Sequence, residues 1–202
     1  MLKGRNKFRR VFLLAVIILL SMGAVRSFAR QVITFGPGET SIKGSIKYSV
    51  IGRYTAGFNS FRGSVVLDER PPQVRSVYLE IDVKSIASKF AWCDRFARSR
   101  RLLNAARYPQ IIFKSDKIFE DDRGYEVKGV LQMHGIKRKM LFPFKVKTVI
   151  DPVTRRKWLD IKGSWNVDRK DFNIIWNKVL DHGGVLVGDI FTVEWGIRVG
   201  LK

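Results

Sequence analysis

From residue 30 onward, apolar and polar residues alternate with a period of two, and very little interrupts them. In Val77–Val83 the apolar Val77, Leu79, Ile81 and Val83 are separated by Tyr78, Glu80 and Asp82. Successive side chains of a strand point to opposite faces, so this pattern predicts a half-buried strand. Phe191, Val193, Trp195, Ile197 and Val199 repeat it against Thr192, Glu194, Gly196 and Arg198, as do Tyr125, Val127, Gly129, Leu131 and Met133. Further strands are read at Ser45–Ser49, at Arg53–Leu67 with a bend at Gly57 or Gly63, and at Gln110–Phe119, Met140–Val149 and Trp158–Val167. Two hairpin connections punctuate the run. One is His134-Gly135 with the basic residues that follow, and the other is Asp151-Pro152-Val153-Thr154, where proline presets φ and aspartate caps its own turn. Asp168-Arg169-Lys170-Asp171 reads as a surface turn with Phe172 tucked into the interior.

Such a succession is all-β, an antiparallel meander in a single domain spanning 30–202. Closing the meander removes exposed edges, and a barrel of about eight strands is the size that holds one small ligand. Between residues 85 and 109 the alternation stops, and Trp92–Leu103 reads as one short helix with Phe96, Ser99 and Leu103 on a common face. From Lys89 to Arg107 there are six basic residues and one acidic residue, either a solvated face or a head-group contact.

Residues 1–29 are of another kind. Lys3, Arg5, Lys7, Arg9 and Arg10 precede the apolar run Val11–Val25, and Ser27-Phe28-Ala29 supplies the small residues of a cleavage site. The run falls short of the roughly 20 apolar residues of a bilayer span. It is therefore read as a signal helix, a signal peptide cleaved after Ala29, with a retained signal anchor as the alternative. The expected location is periplasmic or secreted, or membrane-anchored if the leader is uncleaved. Beyond residue 29 the chain keeps 32 basic and 18 acidic residues, net +14. A charge of that size favours anionic partners, which outside the cytoplasm means a lipid surface before nucleic acid.

The residues that usually carry chemistry are scarce. Cys93 is the single cysteine, so no internal disulfide forms and the thiol reads as a small buried hydrophobe beside Trp92. His134 sits in a hairpin turn and His182 in the loop Asp181-His182-Gly183-Gly184, neither with a second ligand at metal spacing. No nucleophile elbow and no phosphate-cradling glycine loop is present. No metal, catalytic residue or cofactor is expected, and the chain is read as a non-enzyme.

Six fragments follow one another along the chain: Phe58-Asn59-Ser60-Phe61-Arg62-Gly63 with Val66-Leu67-Asp68, Val83-Lys84-Ser85-Ile86, Tyr108 to Ser115, Tyr125 to Gly135, Arg169-Lys170-Asp171-Phe172, and Val187-Gly188-Asp189. Taken in this order they resemble the exported YceI-like family of polyisoprenoid-binding proteins. The resemblance implies a lipocalin-like antiparallel barrel, a helix near one end, and a lumen that encloses the apolar tail of a quinone or polyprenyl lipid. Where the family usually has Arg-Asp-x-His-Leu, this chain has Cys93-Asp94-Arg95-Phe96-Ala97, so any polar role of that histidine does not carry over.

On this reading the inward apolar residues Leu79, Ile81, Phe113, Leu131, Met133, Phe142, Trp165, Phe191, Val193 and Trp195 are the candidate ligand-binding set. The choice of face follows from the alternation, which a one-residue slip would invert. The expected partners are a polyisoprenoid lipid and an anionic membrane surface, with no nucleic acid. A homodimer is compatible with a sequence that marks no interface. The alternative function is an envelope-stress or electron-transport accessory protein that works through protein contacts. Basic grooves with interleaved aromatics also bind single-stranded nucleic acid, but the leader argues against that use.

Overall fold

The computed structural model describes residues 30–38, 40–69, 72–122, 124–181 and 183–200. The leader, with its signal helix, and His182 lie outside the described residues. Eleven strand segments form one antiparallel sheet: β1 (Arg30–Phe35), β2 (Ser41–Tyr48), β3 (Gly52–Phe58), β4 (Phe61–Glu69), β5 (Pro72–Asp82), β6 (Ile86–Ala87), β7 (Gln110–Asp121), β8 (Gly124–Met133), β9 (Ile136–Ile150), β10 (Lys157–Asp168) and β11 (Val187–Gly200). Their order is β1-β4-β5-β7-β8-β9-β10-β11-β2-β3-β6.

Three pairs of segments continue one another across short breaks. β3 passes into β4 through Asn59-Ser60, β5 passes into β6 through a 3-10 turn at Val83–Ser85, and β1 passes into β2 through residues 36–40. Both β1 and β2 are antiparallel to the bent β3–β4 strand, at Phe35↔Gly63 and at Lys43↔Gly57. Counted this way the sheet is an eight-strand meander whose last strand, β11, pairs back onto β2, as the alternation predicts. That closing ladder stops at Ser41↔Gly196. β1 is thus an edge strand bonded to β4, while Ile197–Gly200 are bonded to β10, and a seam parts the barrel there.

The connections obey local chemistry. His134 and Gly135 both take positive φ, 52° and 78°, which a two-residue hairpin between Met133 and Ile136 requires. Asp151 Oδ1 accepts from the N–H groups of Val153 and Thr154, the expected cap of the β9–β10 turn. Helix α1 (Ala91–Arg98) buries Cys93, Asp94 and Ala97 against the end of the barrel at β6. It is this end, where β7 begins and β10 finishes, that we call the helix end.

Several expectations are corrected. β2 starts at Ser41, four residues before the expected Ser45, and β1 went unread. The break in Arg53–Leu67 falls at Asn59-Ser60, where the N–H of Asn59 donates to Ser85 and the N–H of Asp82 to Ser60, rather than at Gly57 or Gly63. The basic residues Lys137–Lys139 already belong to β9, because the turn needs two residues only. α1 ends at Arg98: Ser99 is extended (ψ 166°), and Leu103 leaves the shared face with Phe96 to bond back to Ala97.

Candidate functional site

The interior holds a cavity of about 200 Å³ lined by residues of both the helix end and the middle of the barrel. All ten candidates lie on its wall: Leu79 and Ile81 on β5, Phe113 on β7, Leu131 and Met133 on β8, Phe142 on β9, Trp165 on β10, and Phe191, Val193 and Trp195 on β11. Their rings form a continuous stack. Phe142 lies face to face with Trp165 at 4.2 Å between centroids, Phe113 tilts on Phe142 at 5.0 Å, and Trp195 meets Trp165 edge-on at 6.5 Å. Contacts of this kind add about 0.5–1.5 kcal/mol each to the area they bury. Strand glycines make room for two of the rings. A Cβ on Gly129 would come within 2.7 Å of Phe113, and one on Gly163 within 2.7 Å of Trp195, its cross-strand partner.

The opposite wall was not found by the alternation argument. It comprises Ile42, Gly44 and Ile46 of β2, Tyr54, Ala56 and Phe58 of β3, and Ala97, Leu102 and Leu103 from α1 and the turns after it. Gly44 and Ala56 are cross-strand partners, and a Cβ on Gly44 would meet nothing within 4 Å. At Gly44 this wall faces open space. The signal that could have found this wall is the alternation Ile42-Lys43-Gly44-Ser45-Ile46, which the late start assigned to β2 cut in half.

Two polar side chains on the wall, Arg169 and Tyr54, are occupied by the protein itself. Arg169, expected in a surface turn, is 2% exposed. Its guanidinium donates to the carbonyls of Gly188, Ile174 and Trp176 and to Asp189 Oδ1 at 3.0 Å, tying the β10–β11 connection to the start of β11. Phe172 beside it is fully buried, as expected. Hydrogen bonding to Lys170, helped by the nearby Arg169, holds the Asp189 carboxyl below its usual value despite some desolvation. Tyr54 donates to Asp94 Oδ1 at 2.8 Å, and Asp94 also accepts from the hydroxyl and N–H of Ser88. Burial and this bond push the Tyr54 hydroxyl well up. Burial alone would raise Asp94, but the bonds from Ser88 and Tyr54 outweigh it and keep the carboxyl below its ordinary value. The indole N–H groups of Trp165 and Trp195 are buried without a partner.

Phe96 meets Trp176 edge-on at 5.0 Å, so the family's histidine position serves here as an apolar clamp between α1 and the β10–β11 connection. His134 donates from Nδ1 to the Phe172 carbonyl at 3.0 Å and lies against Tyr108, sealing the same end. Cys93 is buried, and desolvation raises its thiol, which suits an inert role. Among the described residues no group of three or more His, Cys, Asp or Glu converges as a metal site would require, and no helix is long and apolar enough to cross a membrane.

Comparisons with known proteins agree with this architecture. The UPF0312 protein YE1254 of Yersinia enterocolitica is 29% identical over 117 residues, 58% of this chain. The match covers 61% of that protein, so the chain spans about six-tenths of the length of the curated relatives it matches. BcnA of Burkholderia cenocepacia has a similar fold, with a TM-score of 0.64 at 20% identity, covering 79% of this chain and 96% of BcnA. A polyisoprenoid binding domain from Saccharophagus degradans superposes with a TM-score of 0.59 at 10% identity, over 85% of this chain and all (100%) of that domain. The YceI-like domain model matches residues 34–199. Because that match runs from the last residues of β1 almost to the end of β11, the chain belongs to the YceI-like domain family.

Proposed function

We propose that this protein binds and carries a long-chain polyisoprenoid lipid, of quinone or polyprenyl type, in the barrel lumen, without catalysing a reaction. The observation that carries the reading is a wall that is apolar from end to end and on which Arg169 and Tyr54 have already spent their polar groups on protein partners. Such a lumen holds its ligand by removing hydrocarbon from water, about 25 cal/mol for each Å². The cavity exceeds the roughly 150 Å³ that accommodates one benzene, so at 200 Å³ it takes a short stretch of chain before the walls must part. The polyisoprenoid binding of the Saccharophagus domain supports the same ligand class.

The place of action follows from the leader read in the sequence: an exported protein of the bacterial cell envelope, meeting lipid at an anionic membrane surface. Mass spectrometry of organic extracts of the protein, purified from its own host without detergent, tests the proposal. A stoichiometric isoprenoid is expected, and Leu131→Trp, which crowds the lumen, should lower its yield in a folded protein. Clean extracts from folded wild-type protein would overturn the reading in favour of an accessory protein acting through protein contacts.

A further inference from the structure

We propose that the helix end of the barrel is a docking face for an anionic lipid bilayer, entered by the tip of the β10–β11 connection together with Trp92 and Val50. The connection folds back on itself at Val179↔Val185, and the N–H of Leu186 donates to Lys178. It is fastened to the β2–β3 turn, where the N–H and hydroxyl of Ser49 donate to the carbonyls of Leu186 and Val185. Trp176 packs on Phe96, and Trp92 on Tyr48 with 5.8 Å between centroids. Turn, connection and α1 thus form one platform.

That platform leaves large apolar side chains in water: Val179 is 74% exposed, Ile175 66%, Val50 64%, Val185 44% and Trp92 43%. Around them stand the exposed cations Arg53, Lys89, Arg95, Arg100, Arg101 and Lys178. Of the carboxylates nearby, Asp94 is engaged by Tyr54 and Ser88 and Asp189 by Arg169 and Lys170, while Asp171 and Asp181 are exposed among these six cations. Apolar side chains inside a ring of cations are the composition of a surface that lies in an anionic interface, with a tryptophan at head-group depth.

The opposite end carries Val149, Ile150 and the 87% exposed Val153, with the exposed cations Arg155, Arg156 and Lys157 and the exposed carboxylates Glu120 and Asp122. What selects the helix end is its exposed tryptophan, suited to head-group depth, and the lumen that opens beneath it. Ala97, Leu102 and Leu103 line the lumen just beneath it, so a lipid leaving the bilayer at this face has the cavity directly below.

The inference rests on the lipid-carrier reading for its purpose, but its test does not. In the full chain, Val179→Cys and Val153→Cys are each labelled with an environment-sensitive fluorophore; the native Cys93 is buried and does not compete. On phosphatidylglycerol-containing vesicles the label at 179 should shift to the blue while that at 153 stays aqueous. Phosphatidylcholine vesicles should give a weaker shift. Lys89→Gln, Arg95→Gln and Arg100→Gln should each weaken the response about five-fold, as loss of one cation near an anionic surface implies. Gly44→Leu, which fills the lumen, should leave docking intact, so failure of the carrier reading and failure of the docking face are read separately. A shift at 153 with none at 179, equal shifts on neutral vesicles, no shift at all, or a shift at 179 that appears with protein concentration in the absence of vesicles would each overturn the proposal.

Discussion

The two walls of the lumen are built from opposite materials. On β7 to β11, Phe113, Phe142, Trp165 and Trp195 stack on one another and fill space; on β2, β3 and α1, Gly44, Ala56 and Ala97 leave it empty. The first wall is a packed core that happens to face a cavity. The second makes the cavity, because a barrel this size with large residues all round would be solid. Stability and capacity are thus assigned to different strands, and substitutions should separate them.

The largest effect is expected from Trp165→Ala. Removing a ring stacked on one side and edge-packed on another should cost about 3–5 kcal/mol, read as a fall in chemical-denaturation midpoint, since Trp165 is central to the stack. If the loss were under ~1 kcal/mol, the aromatic wall would not be core. Gly163→Val comes next. Its Cβ would fall 2.7 Å from the Trp195 ring, and the forced ring shift should cost about 1–3 kcal/mol by the same measurement.

Tyr54→Phe tests how α1 is held to the small-residue wall. Losing the bond to Asp94 should cost about 1 kcal/mol. The same cluster sets an acid limb. The Asp94 carboxyl is held below its ordinary value, so its contribution is complete above the unfolded value of about 3.9 and is lost as pH falls through the lower folded value. Thermal melts from about pH 6 downward should therefore fall less steeply for Asp94→Asn than for wild type. The smallest effect on stability belongs to Gly44→Leu, within about 1 kcal/mol because the new side chain enters open space. The same change should abolish lipid recovery in organic extracts, and retention of lipid would show that the small wall does not bound the ligand.

The difference between the walls also decides how much of the molecule could be read from its residues. Large apolar residues in long uninterrupted strands announce themselves, so β8, β10 and β11 and all ten cavity-lining candidates follow from period-two alternation. Gly44, Ala56 and Ala97 carry almost no hydrophobic signal, and their role is to be small beside something that lies far away in sequence. Arg169 is the sharpest case. In sequence it is one basic residue in the charged turn 168–171, and only the fold brings Gly188, Ile174 and Trp176 carbonyls around it and makes burial tolerable. The bend within Arg53–Leu67 was legible but its place was not, since Asn59-Ser60 is set by the backbone bonds to Asp82 and Ser85 rather than by a glycine.

The seam beside β1 has a mechanical consequence. A barrel laced by backbone hydrogen bonds around its whole rim is a hoop whose girth is fixed, whereas this one is laced through the β2–β11 ladder and ends that ladder at Ser41↔Gly196. Below that point it is a split collar: β1 is laced to β4 and Ile197–Gly200 to β10, with no ladder pairing between the two among the described residues. The break lies at the end away from α1, so backbone pairing fixes the girth of the barrel near the helix and leaves it unfixed at the far end.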